Sequence, residues 1–295
     1  MFGLVPRIVW SKSIPTDDRG RITVQHNCLL LERSGPGEGP KLVLIETGSG
    51  DKLDAKSRDI FALQNRSITD ALHEANCRPE DIAAAAVTHL HFDHAGGLTR
   101  LCRPGEKPDW SAPGTNGVKL SFPNAKVFTQ AREWSDALAN RSVMTRTYFK
   151  DHLEPIRDQV QLIESPRPFA PGFIPDRDEA PAAPVSLRRT EILPGISVFL
   201  VPGHTWGQQA IMFTDTKGRT VVFTPDVMPT THHLGAAYSL GYDVEPYTSM
   251  VSRRWFLDEA AAGNWLLVLD HEPGNPCQRV KPNDKGWFDL TEDGA

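Results

Sequence analysis

The ten residues Thr88–Gly97 read THLHFDHAGG, and they constrain this chain more than any other stretch. Three histidines and an aspartate, His89, His91, Asp93 and His94, crowd into six positions directly after the apolar run Ile82 to Val87. That run is too short for an independent helix and reads as a buried strand. In an extended segment alternate side chains share a face, so His89, His91 and Asp93 are expected to point together, with a turn at Asp93 bringing in His94 from another direction. This is metal-ligand chemistry, and six contiguous residues cannot close two coordination shells. Distant ligands are therefore expected, each where a strand ends and a loop begins.

Three residues meet that condition. His204 sits in VPGHTWG after an apolar run ending at Val201, Asp226 in FTPD after Phe223, and His271 in LDHEP after Leu269. The remaining histidines lack this context. His73 and His152 read as helix-surface residues, whereas the loop after Asp226 that carries His232 and His233 can border the ligands.

The rest of the chain supplies a frame for these positions. Apolar runs at Asn27 to Leu31 and Lys41 to Ile45 flank the Gly/Pro-rich SGPGEGP and read as a hairpin. Ile68, Ala71, Leu72 and Ala75 fall at i, i+3, i+4 and i+7, one helical face, with Ser67 or Thr69 as cap. Helices are expected over Ala131 to Leu138, Val143 to Leu153 and Ser249 to Ala262, the last stopping at Gly263. Strands are expected over Ile196 to Val201, Gln209 to Phe213, Thr220 to Thr224 and Trp265 to Leu269. Two stretches, Pro104 to Pro123 and Pro166 to Pro184, read as loop insertions without regular structure. The order of elements fits a layered α/β fold with mixed sheets.

Composition narrows function further. The 37 acidic against 32 basic side chains give a net charge of -5, which offers no global attraction to phosphate backbones or anionic membranes. No apolar run approaches the length of a membrane helix, and the opening MFGLVPRIVW lacks a basic n-region. Cys28, Cys77, Cys102 and Cys277 lie far apart with no C-x-x-C, so neither a disulfide framework nor a thiolate site is expected. The expectation is a cytoplasmic, soluble protein with no nucleic-acid or membrane partner.

The combination of THLHFDHAGG, GHTWG at Gly203 to Gly207, Asp226 after a strand and His271 near the C-terminus resembles the metallo-β-lactamase-fold hydrolases. The intervals of 110, 22 and 45 residues from His94 through His204 and Asp226 to His271 suit that family. The resemblance implies a four-layer αββα sandwich with mixed β-sheets, forming a single domain over residues 1–295. It implies that His89, His91 and His204 hold one metal, that Asp93, His94 and His271 hold a second, and that Asp226 bridges them. The cofactor implied is two divalent metal ions, zinc first, with iron, manganese or cobalt also suited to nitrogen and oxygen donors. Two such ions lower the pKa of a bound water, so a metal-bound hydroxide is the expected nucleophile and Asp93 both a ligand and a proton shuttle. Glu46, in the ETG turn where the family has an aspartate, is expected to hydrogen-bond beside a ligand.

Within the superfamily the quorum-quenching lactonases and organophosphate hydrolases resemble the chain best, by size and ligand set. The substrate implied is a lactone of the N-acyl-homoserine kind or a related ester. A phosphoester or phosphotriester hydrolase, and a mono-iron persulfide dioxygenase, are the alternatives on the same fold. Phe92 and Trp206, adjacent to ligands, are expected to wall the substrate pocket. Lactonases often carry a tyrosine three residues after the bridging acid, where this chain has Pro229; Tyr238 or Tyr242 is expected to stand in. A homodimer is implied by resemblance alone, with Phe2 to Trp10 as one apolar surface for it.

Overall fold

The two apolar runs around SGPGEGP pair as antiparallel strands β1 (Leu29–Glu32) and β2 (Leu42–Ile45), with Leu30 opposite Leu44. In this computed structural model residues 1–34, 37–140, 147–168 and 187–292 are described; positions 35–36 of the SGPGEGP turn, 143–146 of one expected helix and 169–184 of the second expected insertion lie outside them. The chain divides into two compact units, considered separately: Cys28–Ile163, and the segments Met1–Asn27 with Glu164–Ala295. Among the described residues no helix is long and apolar enough to cross a membrane.

In Cys28–Ile163 the expected buried strand is β3 (Ala84–Ala86). Three alanines favour a helix locally, but β3 lies between β2 and β6 (Lys126–Gln130) and runs parallel to both. A central parallel strand is covered on both faces, and that burial outweighs local propensity. The sheet order is β1-β2-β3-β6-β7, with β7 (Val160–Ile163) at its edge. Helix Ile68–Glu74 begins with a reciprocal capping box between Ser67 and Asp70 and buries Ile68 and Leu72. Helix Ala131–Ala139 adds Trp134 and Ala137 to a core with Leu44, Leu90 and Phe122.

The first expected insertion is not wholly irregular. A ribbon of β4 (Thr99–Leu101) and β5 (Val118–Leu120) places β5 inside it, and Trp110 forms a further bridge to Val118. Proline and glycine punctuate the stretch between, yet a three-residue strand needs only one partner, which β4 supplies. The expected helix over Val143 to Leu153 is confined, among its described residues, to Lys150–Leu153.

The other unit carries a seven-stranded sheet in the order β14-β13-β12-β11-β10-β9-β8. These strands are β8 (Thr190–Leu193), β9 (Ile196–Leu200), β10 (Gln209–Thr214), β11 (Thr220–Thr224), β12 (Leu266–Leu269), β13 (Cys277–Pro282) and β14 (Phe288–Glu292). Only β11 and β12 pair in parallel, Thr224 opposite Leu269, which demands a long crossover. Helix Pro246–Ala262 lies in that crossover, with proline in its first turn and Gly263 at its end. Its Trp255, Phe256, Leu257 and Ala260 bury with Phe199, Leu267 and Leu269. Both units are thus mixed α/β, and the parallel strand ends deliver the loops that matter next.

Candidate metal centre

Immediately beyond β3 the chain passes through Thr88 into the histidine motif, and His89, His91 and His94 are all buried. His89 Nε2 stands 3.1 Å from His91 Nδ1, and the His89 and His94 rings are 3.9 Å apart. The extended path ends sooner than the alternation of side chains suggested. The amides of His94 and Ala95 both donate to the His91 carbonyl, at 3.0 and 2.9 Å, so a helical turn starts at Phe92. Asp93 therefore lies on a helical turn rather than on an extended face. Its Oδ1 is 3.9 Å from His94 Nε2, and its side chain is 25% exposed.

The segment after β2 holds this turn in place. Glu46 adopts a left-handed conformation at φ 65°, a backbone state that non-glycine residues keep only when their surroundings impose it. Its Oε1 accepts from the Thr88 amide at 2.6 Å and its Oε2 lies 3.3 Å from His94 Nδ1, as expected for this residue. The Thr47 amide and hydroxyl both donate to the His94 carbonyl, at 3.1 and 2.6 Å. Lys52 donates to the carbonyls of Gly96 and Thr99, and burial pushes its ammonium down to about 8. From the far side Glu133 Oε1 accepts from the Leu90 amide at 3.0 Å and from the Tyr148 hydroxyl at 3.2 Å. The Tyr148 ring in turn packs 5.0 Å from the His91 ring. Neither Glu133 nor Tyr148 carried a sequence signal, since each reaches the motif only through tertiary packing.

In the other unit His204, Asp226 and His271 come together at the ends of strands. Asp226 Oδ2 is 3.0 Å from His204 Nε2, and its Oδ1 is 3.3 Å from His271 Nε2. His204 Nδ1 pairs with Asp243 Oδ1 at 2.8 Å, and His271 Nδ1 donates to the Gln25 carbonyl at 2.7 Å. Asp243 and Asp270, the latter beside His271 and also buried, were not singled out by the sequence pattern. Burial opposes the charge on His204, but the Asp226 and Asp243 carboxylates outweigh it and raise the imidazolium to about 10. Burial likewise opposes the charge on Asp226, and His204 and His271 overcome it, holding the carboxyl well below its usual range.

The other expected residues divide. His73 is exposed on its helix, as anticipated. His152 is not a surface residue: it is buried, its ring 5.2 Å from Phe149, and desolvation holds it well below the usual imidazole range. A single helical turn has no periodicity from which its inward face could be read. His233 is buried, with Nδ1 2.8 Å from the Thr230 hydroxyl, whereas His232 is exposed. Phe2 is likewise not a surface residue; it stacks on His233 at 4.8 Å and meets Trp10 and Tyr238. Leu4, Ile8 and Val9 of the same segment remain exposed. The half-buried Phe92 packs between Phe61 and Phe149, at 5.3 and 6.1 Å. The Tyr242 ring stands 5.6 Å from His204, two residues before the half-buried Trp206.

These donors fit divalent metal ions. Three histidines, His94, His204 and His271, present Nδ1 to Glu46, Asp243 and the Gln25 carbonyl, so that Nε2 is the atom turned toward the acidic side chains. An imidazole held by its outer nitrogen in this way has its tautomer and orientation fixed for binding an ion.

The metallo-β-lactamase superfamily model matches residues 21–271, and the chain belongs to that superfamily. An N-acyl homoserine lactonase of a Bacillus species is 24% identical over 239 residues, covering 77% of this chain and 73% of the relative. A probable metal-dependent hydrolase from Staphylococcus aureus superposes with a TM-score of 0.73 at 22% identity, over 100% of this chain and 91% of that one. A dizinc quorum-quenching lactonase in complex with a product N-acyl-L-homoserine gives a TM-score of 0.64 at 19% identity, over 92% and 80% of the two chains.

Proposed function

We propose that this member of the superfamily is a dinuclear metal-dependent hydrolase that opens a lactone of the N-acyl-homoserine kind or cleaves a related carboxylic ester. The observation that carries the reading is the outer hydrogen bonding of His204 and His271, which aims both Nε2 atoms at Asp226. In this reading His89, His91 and His204 would hold one ion, Asp93, His94 and His271 the other, and Asp226 would serve both. Two divalent ions bound there would supply the chemistry of activating water at neutral pH and polarising a carbonyl. Zinc suits the donors, as iron, manganese or cobalt would.

The chain's own residues do the rest. Asp93 is the carboxylate of the set with a quarter of its side chain in solvent, so it can exchange a proton with water and deliver it to the departing oxygen. Glu46 and Asp243 keep the His94 and His204 rings from rotating. Phe92, Trp206, Tyr238 and Tyr242 supply aromatic surface for an acyl substrate. The four free cysteines agree with a cytoplasmic location.

Replacing Asp243 with asparagine is expected to weaken zinc binding by about 10- to 100-fold, the usual effect of losing a partner behind a ligand. Competition against a chromophoric chelator measures it. Protons and ions also compete for His204, whose imidazolium persists to about pH 10 in the ion-free chain. Ion uptake should therefore release that proton, and apparent affinity should rise about tenfold per pH unit across pH 7 to 9, read by potentiometric titration. In the ion-free protein the same raised value stabilises the fold fully below pH 6.5 and is lost as pH rises through about 10.

The deciding test is a hydrolysis panel of acyl-homoserine and simple lactones, phosphotriesters, phosphodiesters, thioesters and a β-lactam, with and without chelator. Chelator-sensitive lactone turnover is the expected result. Silence toward lactones in protein that carries two ions removes the lactonase reading; turnover of phosphotriesters instead selects the phosphoester alternative, and one iron with oxygen consumption selects the dioxygenase.

A further inference from the structure

We propose that Asp270 is itself a metal ligand, an oxygen donor additional to the seven residues above; the inference rests on the dinuclear reading. β11 and β12 run parallel as neighbours with Thr224 opposite Leu269, and the chain emerging from their paired ends carries Asp226 on one side and Asp270 and His271 on the other. Each of these three side chains offers a ligand atom, and the atoms lie within 4.8 Å of one another. All three side chains are buried, at 2%, 2% and 5% exposure.

The chemistry of that trio calls for a cation. His271 donates from Nδ1 to the Gln25 carbonyl, which turns Nε2 inward. That Nε2 faces two carboxylates, with Asp226 Oδ1 at 3.3 Å and Asp270 Oδ2 at 4.0 Å. Two buried carboxylates and an imidazole nitrogen converging within ligand reach of one another are a donor set that a divalent ion takes. The backbone around Asp270 is held in register for this. The Asn27 amide donates to the Asp270 carbonyl at 2.8 Å, and the Asn27 side chain donates to the carbonyls of Leu269 and Glu272 at 2.8 and 2.9 Å. A second carboxylate beside His271 also makes this end of the centre richer in oxygen, which favours manganese or iron relative to an all-imidazole set.

The test uses the full chain. Crystals of the wild-type protein loaded with Zn2+ are expected to show an ion, located by anomalous scattering, with an Asp270 oxygen at about 2.0 to 2.2 Å. An ion bound by Asp226 and His271 with both Asp270 oxygens beyond about 3 Å overturns the proposal and leaves the dinuclear reading intact. Absence of any ion overturns both. In solution, Asp270→Asn is expected to weaken one of two zinc ions by about tenfold or more while the other keeps its affinity. Two ions held at wild-type affinity by a folded Asp270→Asn protein count against the assignment, and if that variant fails to fold the crystallographic measurement on wild type decides alone.

Discussion

Asp226→Ala is expected to lose bound metal and turnover together, with kcat/KM falling by about a thousandfold or more, equivalent to about 4 kcal/mol of transition-state stabilisation. The reasoning starts from position. Asp226 follows β11 by two residues, is almost fully buried, and directs its two oxygens at two different imidazoles, His204 at 3.0 Å and His271 at 3.3 Å. Removing it leaves two buried rings without their shared carboxylate, and no nearby water-exposed group can replace a charge at that depth. Asp226→Asn separates shape from charge: it keeps the side-chain volume, and the same loss is expected because the amide nitrogen cannot donate an electron pair to an ion. Metal content by mass spectrometry, measured beside activity, is the check. An alanine variant that retains both ions would remove Asp226 from the centre.

Gly97→Ala should be the most damaging single methyl in the histidine segment. A Cβ there would lie 2.1 Å from the Thr47 carbonyl oxygen and 2.8 Å from Ile68 Cγ2, and the first of these is backbone that cannot swing aside. The Gly97 amide also donates to the Gly48 carbonyl at 2.9 Å, so the two segments are already drawn together. Overpacking of this kind destabilises by about 3 kcal/mol. For a chain of this size that corresponds to a melting point lower by roughly 6 to 12 °C. Because Thr47 also binds the His94 carbonyl, displacement of Thr47 should weaken metal binding as well. Gly37→Ala, where the nearest atom is a flexible Arg33 carbon at 3.7 Å, is the matched control and should change stability by less than about 0.5 kcal/mol. Thermal unfolding of the two variants side by side tests the contrast.

What the sequence made legible follows from how each residue acts. His89, His91 and His94 were visible because they are packed into one short segment behind an apolar run. His204, Asp226 and His271 were visible because each follows an apolar strand. Those signals are local, and the strands β3, β9, β11 and β12 lie where the local pattern placed them. Glu133 and Asp243 were invisible because the groups they hold, the Leu90 amide and His204, are 43 and 39 residues away. Asp270 was masked by the more conspicuous His271 beside it. The misreadings share a cause: His152 and β5 belong to elements of four and three residues, too short for any periodicity to declare an inward face.

The hydrogen bond between His271 and Gln25 has a consequence for the order in which a ribosome can complete this protein. It joins residues 246 positions apart, and closing a loop of that length costs on the order of 5 kcal/mol in chain entropy. The segment Cys28–Ile163, with its histidine motif, is continuous and can fold while synthesis is still under way. Residues Met1–Asn27 must instead wait, exposed, until the chain has emerged past His271. A nascent chain released before that point would leave Gln25 without either of its hydrogen bonds to His271, amide to carbonyl and carbonyl to imidazole.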